Sequence, residues 1–147
     1  MKKLTLVTVT FNSRHTLYDT INSVLQQTYP YIEYIIIDGA STDNTVGVIE
    51  HDFNERLRWI SEKDDGLYDA MNKGFSMATG DVIGIINSDD VLADPAAIEK
   101  VVKCFERDET IDAVYADLYY VAQNDISKIV RHWVSGEQRS FAKGWHP

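Results

Sequence analysis

The sequence predicts an α/β fold with a mainly parallel sheet and helices on both faces. Short apolar runs rich in β-branched residues alternate four times with stretches of helical period, the pattern of strand–helix–strand units. Polar turns follow the runs, most sharply where residues 82–86 lead to Asp89 and Asp90. The length of 147 residues suits one core, and no linker or repeat interrupts it. We therefore expect residues 1–147 to form a single domain.

The first half of the chain holds two strand–helix pairs. Residues 4–9 and 32–37 are predicted strands because they are short, mostly apolar and rich in β-branched side chains. Residues 14–26 and 43–53 are predicted helices because apolar residues recur there at helical spacing. Pro30 ends the first helix, since the residue before a proline disfavours the helical conformation.

A third pair follows, and its helix has both an apolar and a polar face. Residues 57–61 are a short predicted strand, and residues 67–78 are a predicted helix with Leu67, Met71 and Phe75 aligned towards the core. The opposite side carries polar side chains, among them Lys73, which an exposed amphipathic face explains adequately.

The last predicted elements are a strand, a helix and a hairpin. Residues 82–86 have the make-up of a strand buried on both faces, and residues 94–107 form an amphipathic helix. Residues 113–121 and 127–134 are expected to pair as a hairpin, and the tail at 135–147 has no clear period.

Composition and charge argue against several classes of function. A net charge of −9 is unlike that of nucleic-acid-binding proteins, which carry a basic face, and gives no support to electrostatic binding at a membrane surface. No apolar run has the length of a membrane span or the form of a signal peptide, and the single Cys104 fits a reducing compartment. We therefore expect a cytoplasmic protein with no nucleic-acid partner.

Polar residues follow three of the predicted strands. Thr10 and Asn12 come after the first strand, Asp38 after the second, and Asp89 and Asp90 after the fourth. Right-handed crossovers bring these strand ends to one edge of the sheet, where α/β proteins bind ligands. Two carboxylates at such an edge suit Mg²⁺ or Mn²⁺, with water and phosphate oxygens completing the coordination shell.

Each candidate also has a purely structural interpretation. Thr10 and Asn12 are common turn formers, and the two adjacent acids can close a turn or cap a helix. Lys63, the one cation in the acidic loop at residues 62–66, can be a solvated charge. No dinucleotide glycine motif, Walker lysine loop or nucleophile elbow occurs in the sequence. A phosphorelay receiver would have acidic residues directly after the first strand, where this chain has Thr10 and Asn12.

Four segments of the chain together resemble a known family. They are residues 8–13, 35–45, 62–74, and 78–81 leading to 87–90, in the family's order over about residues 3–92. They are similar to the N-terminal nucleotide-binding half of family-two glycosyltransferases, of the bacterial surface-polysaccharide kind with the GT-A fold. One such motif is weak, but four in sequence are highly specific.

The resemblance implies a nucleotide-diphospho-sugar donor, with a UDP-sugar as the first expectation, and a divalent metal, Mn²⁺ or Mg²⁺. The implied donor-binding residues are Thr10 and Asn12 at the nucleoside, Asp38 at the base, Lys63 and Asp65 beside the nucleotide, and Asp89 near the ribose and sugar. Asp90 is the implied metal ligand, although the acids here stand as Ser88-Asp89-Asp90 and not as Asp-x-Asp. A metal on the diphosphate would stabilise the charge that develops as it departs.

The resemblance further implies inverting transfer to a saccharide or lipid-linked acceptor. The carboxylate base is expected beyond residue 147, so the chain is expected to be C-terminally truncated and to lack most of the acceptor site. A cut of that kind would expose apolar surface and favour self-association. The alternative is a nucleotide-binding or assembly module without turnover, and transfer to an acceptor would separate the two functions.

Overall fold

The computed structural model describes residues 1–53, 56–122 and 124–136. The chain divides into two compact units, Met1–Glu109 and Thr110–Pro147. The first unit contains the alternating strands and helices, and the second contains the hairpin. The single domain expected from the sequence stays a prediction.

The first unit is built on a four-stranded parallel sheet. Its strands are β1 (Leu4–Thr10), β2 (Ile32–Asp38), β3 (Arg58–Ser61) and β4 (Val82–Ile85). Its helices are α1 (Leu17–Leu25), α2 (Thr45–Asp52), α3 (Leu67–Met77) and α4 (Ala97–Arg107). The strands lie in the order β3-β2-β1-β4, and β1 pairs in parallel with both of its neighbours. The predicted parallel α/β fold is confirmed.

Apolar side chains form a core on each face of the sheet. Successive side chains of a strand point to opposite faces, and the residues of β1 divide accordingly. Leu4 and Leu6 pack with residues of α1, α2 and α4, whereas Val7 and Val9 pack with residues of α3. All of β1 is therefore buried, and helices cover the sheet on both faces as the sequence predicted.

Small residues bring α3 against the sheet. Its buried positions are Ala70 and Gly74, and a Cβ atom at Gly74 would collide with the side chain of Val7. Leu67 and Phe75 are exposed, so the apolar face predicted for this helix was wrong in these two positions. The small side chains at these two positions allow the close approach of helix to sheet, and Met71 and Met77 pack beside them against the same core.

The strand β4 lies at an edge of the sheet that the described residues form. Its burial alternates, and Ile83 and Ile85 are 46% and 43% exposed. The predicted burial of this strand on both faces is wrong for Ile83 and Ile85. Among the described strands of the first unit, only β1 pairs with β4. An apolar run indicates which residues favour burial, but it does not determine how many neighbours cover them.

The second unit contains an antiparallel hairpin of β5 (Leu118–Ala122) and β6 (Asp125–Trp133). The predicted hairpin is confirmed, but its first strand begins later than expected, since residues 113–117 are not in a strand. Residues 137–147 of the predicted tail lie outside the described residues. Among the helices that are described, none is both long and apolar enough to cross a membrane.

A largely buried carboxylate joins the strands near the amino end of the sheet. Glu33 of β2 is 10% exposed and accepts hydrogen bonds from Thr5 Oγ1 at 2.7 Å and from Thr79 N at 2.8 Å. It also forms ion pairs with Lys3 at 3.3 Å and with Arg58 at 2.9 Å. Burial alone would raise the pKa of Glu33, but the hydrogen bonds from Thr5, Thr79 and Lys3 outweigh it and lower the pKa to about 2. Near neutral pH the carboxylate is therefore ionised.

Candidate functional site

A cleft of about 780 Å³ opens at the carboxyl ends of the parallel strands. The order β3-β2-β1-β4 reverses direction at β1, because the chain places β2 and β3 on one side of it and β4 on the other. Such a reversal is where open α/β sheets bind their ligands. The turns after all four strands line the cleft, with side chains that include Thr10, Phe11, Ala40, Lys63, Asp64 and Asp89.

The end of β1 brings two unlike side chains to the cleft. Thr10 is 5% exposed, and its Oγ1 atom is buried with no hydrogen-bond partner among the described residues. An unpaired buried hydroxyl costs about 1–3 kcal/mol. Phe11 is 62% exposed and presents an aromatic ring to the same cleft. Phe11 was missed from the sequence, although a large apolar residue inside a polar turn was a usable signal.

Hydrogen bonds between neighbouring turns fix the walls of the cleft. Asn12 Oδ1 accepts the N–H of Thr42 at 2.9 Å, and Asn12 N donates to Ser41 Oγ at 2.8 Å. The Oγ atoms of Ser13 and Ser88 are 3.0 Å apart and connect the turns after β1 and β4. Asn12 is not among the residues that line the cleft, and its observed contacts connect the turns after β1 and β2.

Asp38 lies fully buried beneath the turn that follows β2. Its carboxylate accepts the N–H of Ser41 at 2.9 Å, the hydroxyl of Ser41, and the hydroxyl of Ser61 at 2.6 Å. These bonds accompany a φ of 60° at Ala40, a left-handed conformation that residues other than glycine rarely adopt. Asp38 does not line the cleft, so its observed contacts support the turns after β2 and β3. Its contact with a base stays a prediction.

The loop after β3 contributes a cation and an acid to the cleft. Lys63 is exposed, and no carboxylate of the described residues forms an ion pair with its ammonium group. Asp64 packs against Gly39 so closely that a Cβ atom there would lie 2.6 Å from Asp64 Oδ2, so a larger residue would require the Asp64 side chain to shift. Asp65 is exposed and is not a lining residue.

The two adjacent acids after β4 occupy different positions. Asp89 is exposed and lines the cleft. Asp90 is also exposed, and its Oδ2 atom accepts a hydrogen bond from Asn87 Nδ2 at 2.8 Å. No group of three or more metal-ligating His, Cys, Asp or Glu residues occurs within the described ranges. Two exposed carboxylates nevertheless fit Mg²⁺ or Mn²⁺, ions that take one or two protein carboxylates together with water and substrate phosphates.

Solved structures with a similar fold identify the fold of this chain. A mannosyltransferase from Pyrobaculum calidifontis, in complex with GDP-Man and Mn²⁺, matches 86% of this chain and 37% of its own, with a TM-score of 0.68 and 20% identity. S. aureus TarS in complex with UDP-GlcNAc matches 71% of this chain and 31% of its own, with a TM-score of 0.64 and 21% identity. The fold is the GT-A fold of glycosyltransferases, as the sequence resemblance implied.

Sequence comparisons identify the family. The model described as "Glycosyl transferase family 2" matches residues 5–145. An uncharacterized glycosyltransferase of Nostoc sp. is 31% identical over 116 residues, which are 77% of this chain and 36% of that protein. A PGL/p-HBAD biosynthesis glycosyltransferase of Mycobacterium bovis is 30% identical over 122 residues, 81% of this chain and 48% of that protein. The chain belongs to glycosyl transferase family 2 and spans less than half the length of these two relatives.

Proposed function

We propose that the chain forms the donor-binding part of a glycosyltransferase acting in surface-polysaccharide synthesis. The donor is a nucleotide-diphospho-sugar, with UDP as the first nucleotide to test, and the acceptor is a saccharide or lipid-linked acceptor. The observation that carries the proposal is the cleft at the reversal of strand order, which in a member of this family combines an aromatic ring, an unpaired hydroxyl and a cation. The nucleotide-sugar complexes of the structural neighbours support it.

Three lining side chains have chemistry that suits a nucleoside diphosphate. The ring of Phe11 offers a face on which a base can stack, and base–aromatic stacking contributes about 1–3 kcal/mol. The hydroxyl of Thr10 can bond to the nucleoside, which would satisfy its buried oxygen. The ammonium group of Lys63 can approach the diphosphate, since no described carboxylate neutralises it. Asp65, in the same loop, would border the nucleotide.

The bonded turns and the exposed acids complete the proposed site. Asn12 and Asp38 hold the turns in place before the donor binds. Binding of the donor therefore costs less conformational entropy. Asp89 would lie near the ribose and the donor sugar, and Asp90 would hold Mn²⁺ or Mg²⁺. Such an ion stabilises negative charge on a departing diphosphate. Transfer with inversion also needs a base that takes the acceptor's proton, and we assign no described residue to that role.

Isothermal titration calorimetry with UDP, GDP and dTDP, with and without Mn²⁺, tests the donor site. One nucleotide is expected to bind, and only with the metal. Phe11→Ala is expected to weaken that binding roughly tenfold through lost stacking. Phe75→Ala is the matched control, because Phe75 is an exposed phenylalanine of α3 that does not line the cleft.

Two outcomes would contradict the proposal. Failure of all three nucleotides to bind, with or without Mn²⁺, would remove the donor site. Equal binding by the parent protein and Phe11→Ala would remove the stacking role of the ring. Nucleotide binding without transfer to any acceptor would instead favour the non-catalytic alternative, a nucleotide-binding or assembly module.

A further inference from the structure

Lys73, on the polar side of α3, contacts the loop at residues 62–66 that borders the cleft. Its Nζ atom lies 2.9 Å from Glu62 Oε1, 3.2 Å from Asp69 Oδ2 and 3.1 Å from the backbone oxygen of Lys63. An ammonium group has three N–H donors, so these three oxygens can use all of them. The side chain is 24% exposed, which is less than the exposure of Lys3, Arg58, Lys100 and Lys103, other basic side chains that form ion pairs in this unit.

Asp69 extends the same cluster to the far end of the loop. Its Oδ2 atom, which contacts Lys73, also accepts the N–H of Asp65 at 3.2 Å. The loop is therefore held at Glu62 and Lys63 by one side chain of α3 and at Asp65 by another, one helical turn away.

The held segment includes both side chains of the loop that line the cleft, Lys63 and Asp64. Asp64 lies against Gly39, and its Oδ1 atom accepts the N–H of Gly66 at 2.9 Å. Gly66 itself has a φ of 108°, a conformation that favours glycine. The loop contains no helix or strand, so these side-chain bonds contribute to its form together with the backbone bond from Glu62 N to Asp38 O at 3.0 Å.

We propose that Lys73 is a positioning residue, which with Asp69 holds the loop at residues 62–66 in the form that presents Lys63 to the diphosphate of the donor. The role in binding rests on the function proposed above, whereas the holding of the loop does not. An ordinary exposed ion pair contributes about 0–1 kcal/mol to stability and leaves a distant ligand unaffected. Lys73 differs because its partners belong to the wall of the cleft.

The charge states fit this arrangement. The carboxylate of Glu62 is the main cause of a raised pKa at Lys73, with Asp69 adding to it. The N–H of Asp65, followed by the ammonium group of Lys73, lowers the pKa of Asp69. Both shifts favour the charged forms of Lys73 and Asp69 around neutral pH, and the geometry of the cluster accounts for them.

Amide hydrogen exchange, followed by NMR on the full chain without nucleotide, tests the holding of the loop. Lys73→Met is expected to accelerate exchange of the Asp65 N–H severalfold, whereas Lys73→Arg should keep most of the protection, because a guanidinium can also donate to several oxygens. Loss of a nearby positive charge by itself slows base-catalysed exchange. Faster exchange of the Asp65 N–H would therefore indicate a loosened loop, and slower exchange would indicate a charge effect alone. Lys103→Met is the control, since Lys103 forms a comparable pair with Glu99 on α4 and does not contact the loop.

Calorimetric titration of UDP with Mn²⁺ on the same variants tests the positioning role. Lys73→Met should weaken UDP binding about tenfold. In this variant the loop becomes ordered only when UDP binds, and the loss of its conformational entropy reduces the binding free energy. Lys73→Arg should restore most of the affinity, Lys103→Met should match the parent, and the thermal midpoint of Lys73→Met should stay close to that of the parent. A loss of affinity at an unchanged thermal midpoint is a result that a merely stabilising ion pair would not give.

Three other outcomes would overturn the holding of the loop, the positioning role or the proposed function. Unchanged exchange of the Asp65 amide in Lys73→Met would overturn the holding of the loop. Faster exchange with unchanged UDP affinity would overturn the positioning role. If the parent binds no nucleotide while exchange responds as expected, the holding of the loop stands and the proposed function fails.

Discussion

Replacement of Glu33 by glutamine should remove a pH-dependent part of the stability of the sheet. The variant keeps the size of the side chain but loses the negative charge that pairs with Lys3 and Arg58 and accepts bonds from Thr5 and Thr79. A carboxyl whose pKa falls from 4.5 to about 2 on folding contributes roughly 3 kcal/mol near neutral pH. Lys3 and Arg58 are about half exposed, so screening by solvent reduces this contribution to ~2 kcal/mol.

The direction of the pH dependence follows from the lowered pKa. The folded-state pKa lies below the unfolded value, so the contribution of Glu33 is fully present above pH 4.5 and is lost as the pH falls towards about 2. The difference in unfolding free energy between the parent and Glu33→Gln should therefore be largest near neutral pH and should shrink through this interval.

Urea denaturation at a series of pH values, followed by far-ultraviolet circular dichroism, measures that difference. Glu50→Gln is the control, because Glu50 is an exposed carboxylate on α2, and the variant should match the parent throughout. A gap between the parent and Glu33→Gln that stays constant from neutral to acid pH would refute the reasoning, since it would mean that shape and packing, and not the charge, carry the effect.

Two further substitutions test the proposed site. Asp90→Ala should remove the metal-dependent part of UDP binding. Thermal unfolding should stay nearly unchanged, because the carboxylate is exposed. Calorimetry that shows UDP binding equal to that of the parent would contradict the metal assignment. Asp38→Ala should lower the free energy of unfolding by roughly 2 kcal/mol, because the N–H and hydroxyl groups of Ser41 and Ser61 lose a buried acceptor. The ratio of UDP to GDP affinity in Asp38→Ala then decides its role: an altered ratio supports contact with the base, and an equal loss for both nucleotides supports the turns alone.

The sequence by itself was enough for the order and type of the elements and for the family. Each strand and helix of the first unit leaves a local pattern, since apolar runs and helical period depend on residues a few positions apart. The polar residues that end the strands could be placed at one edge for a similar reason, because right-handed crossovers leave parallel strands no other arrangement. Thr10 and Asp89, expected at this edge, both line the cleft, and so does Lys63, which the family resemblance implied. Their roles in donor binding stay predictions.

Only the tertiary structure decided which side chains reach the cleft and which support it. Asp38 is buried because Ser41 and Ser61, from two different turns, converge on its carboxylate. Phe11 remains exposed although it is apolar, and α3 buries Gly74 instead of Phe75 because the helix approaches the sheet so closely. These outcomes depend on contacts between residues far apart in the chain. The local spacing of apolar residues carries no information about such contacts.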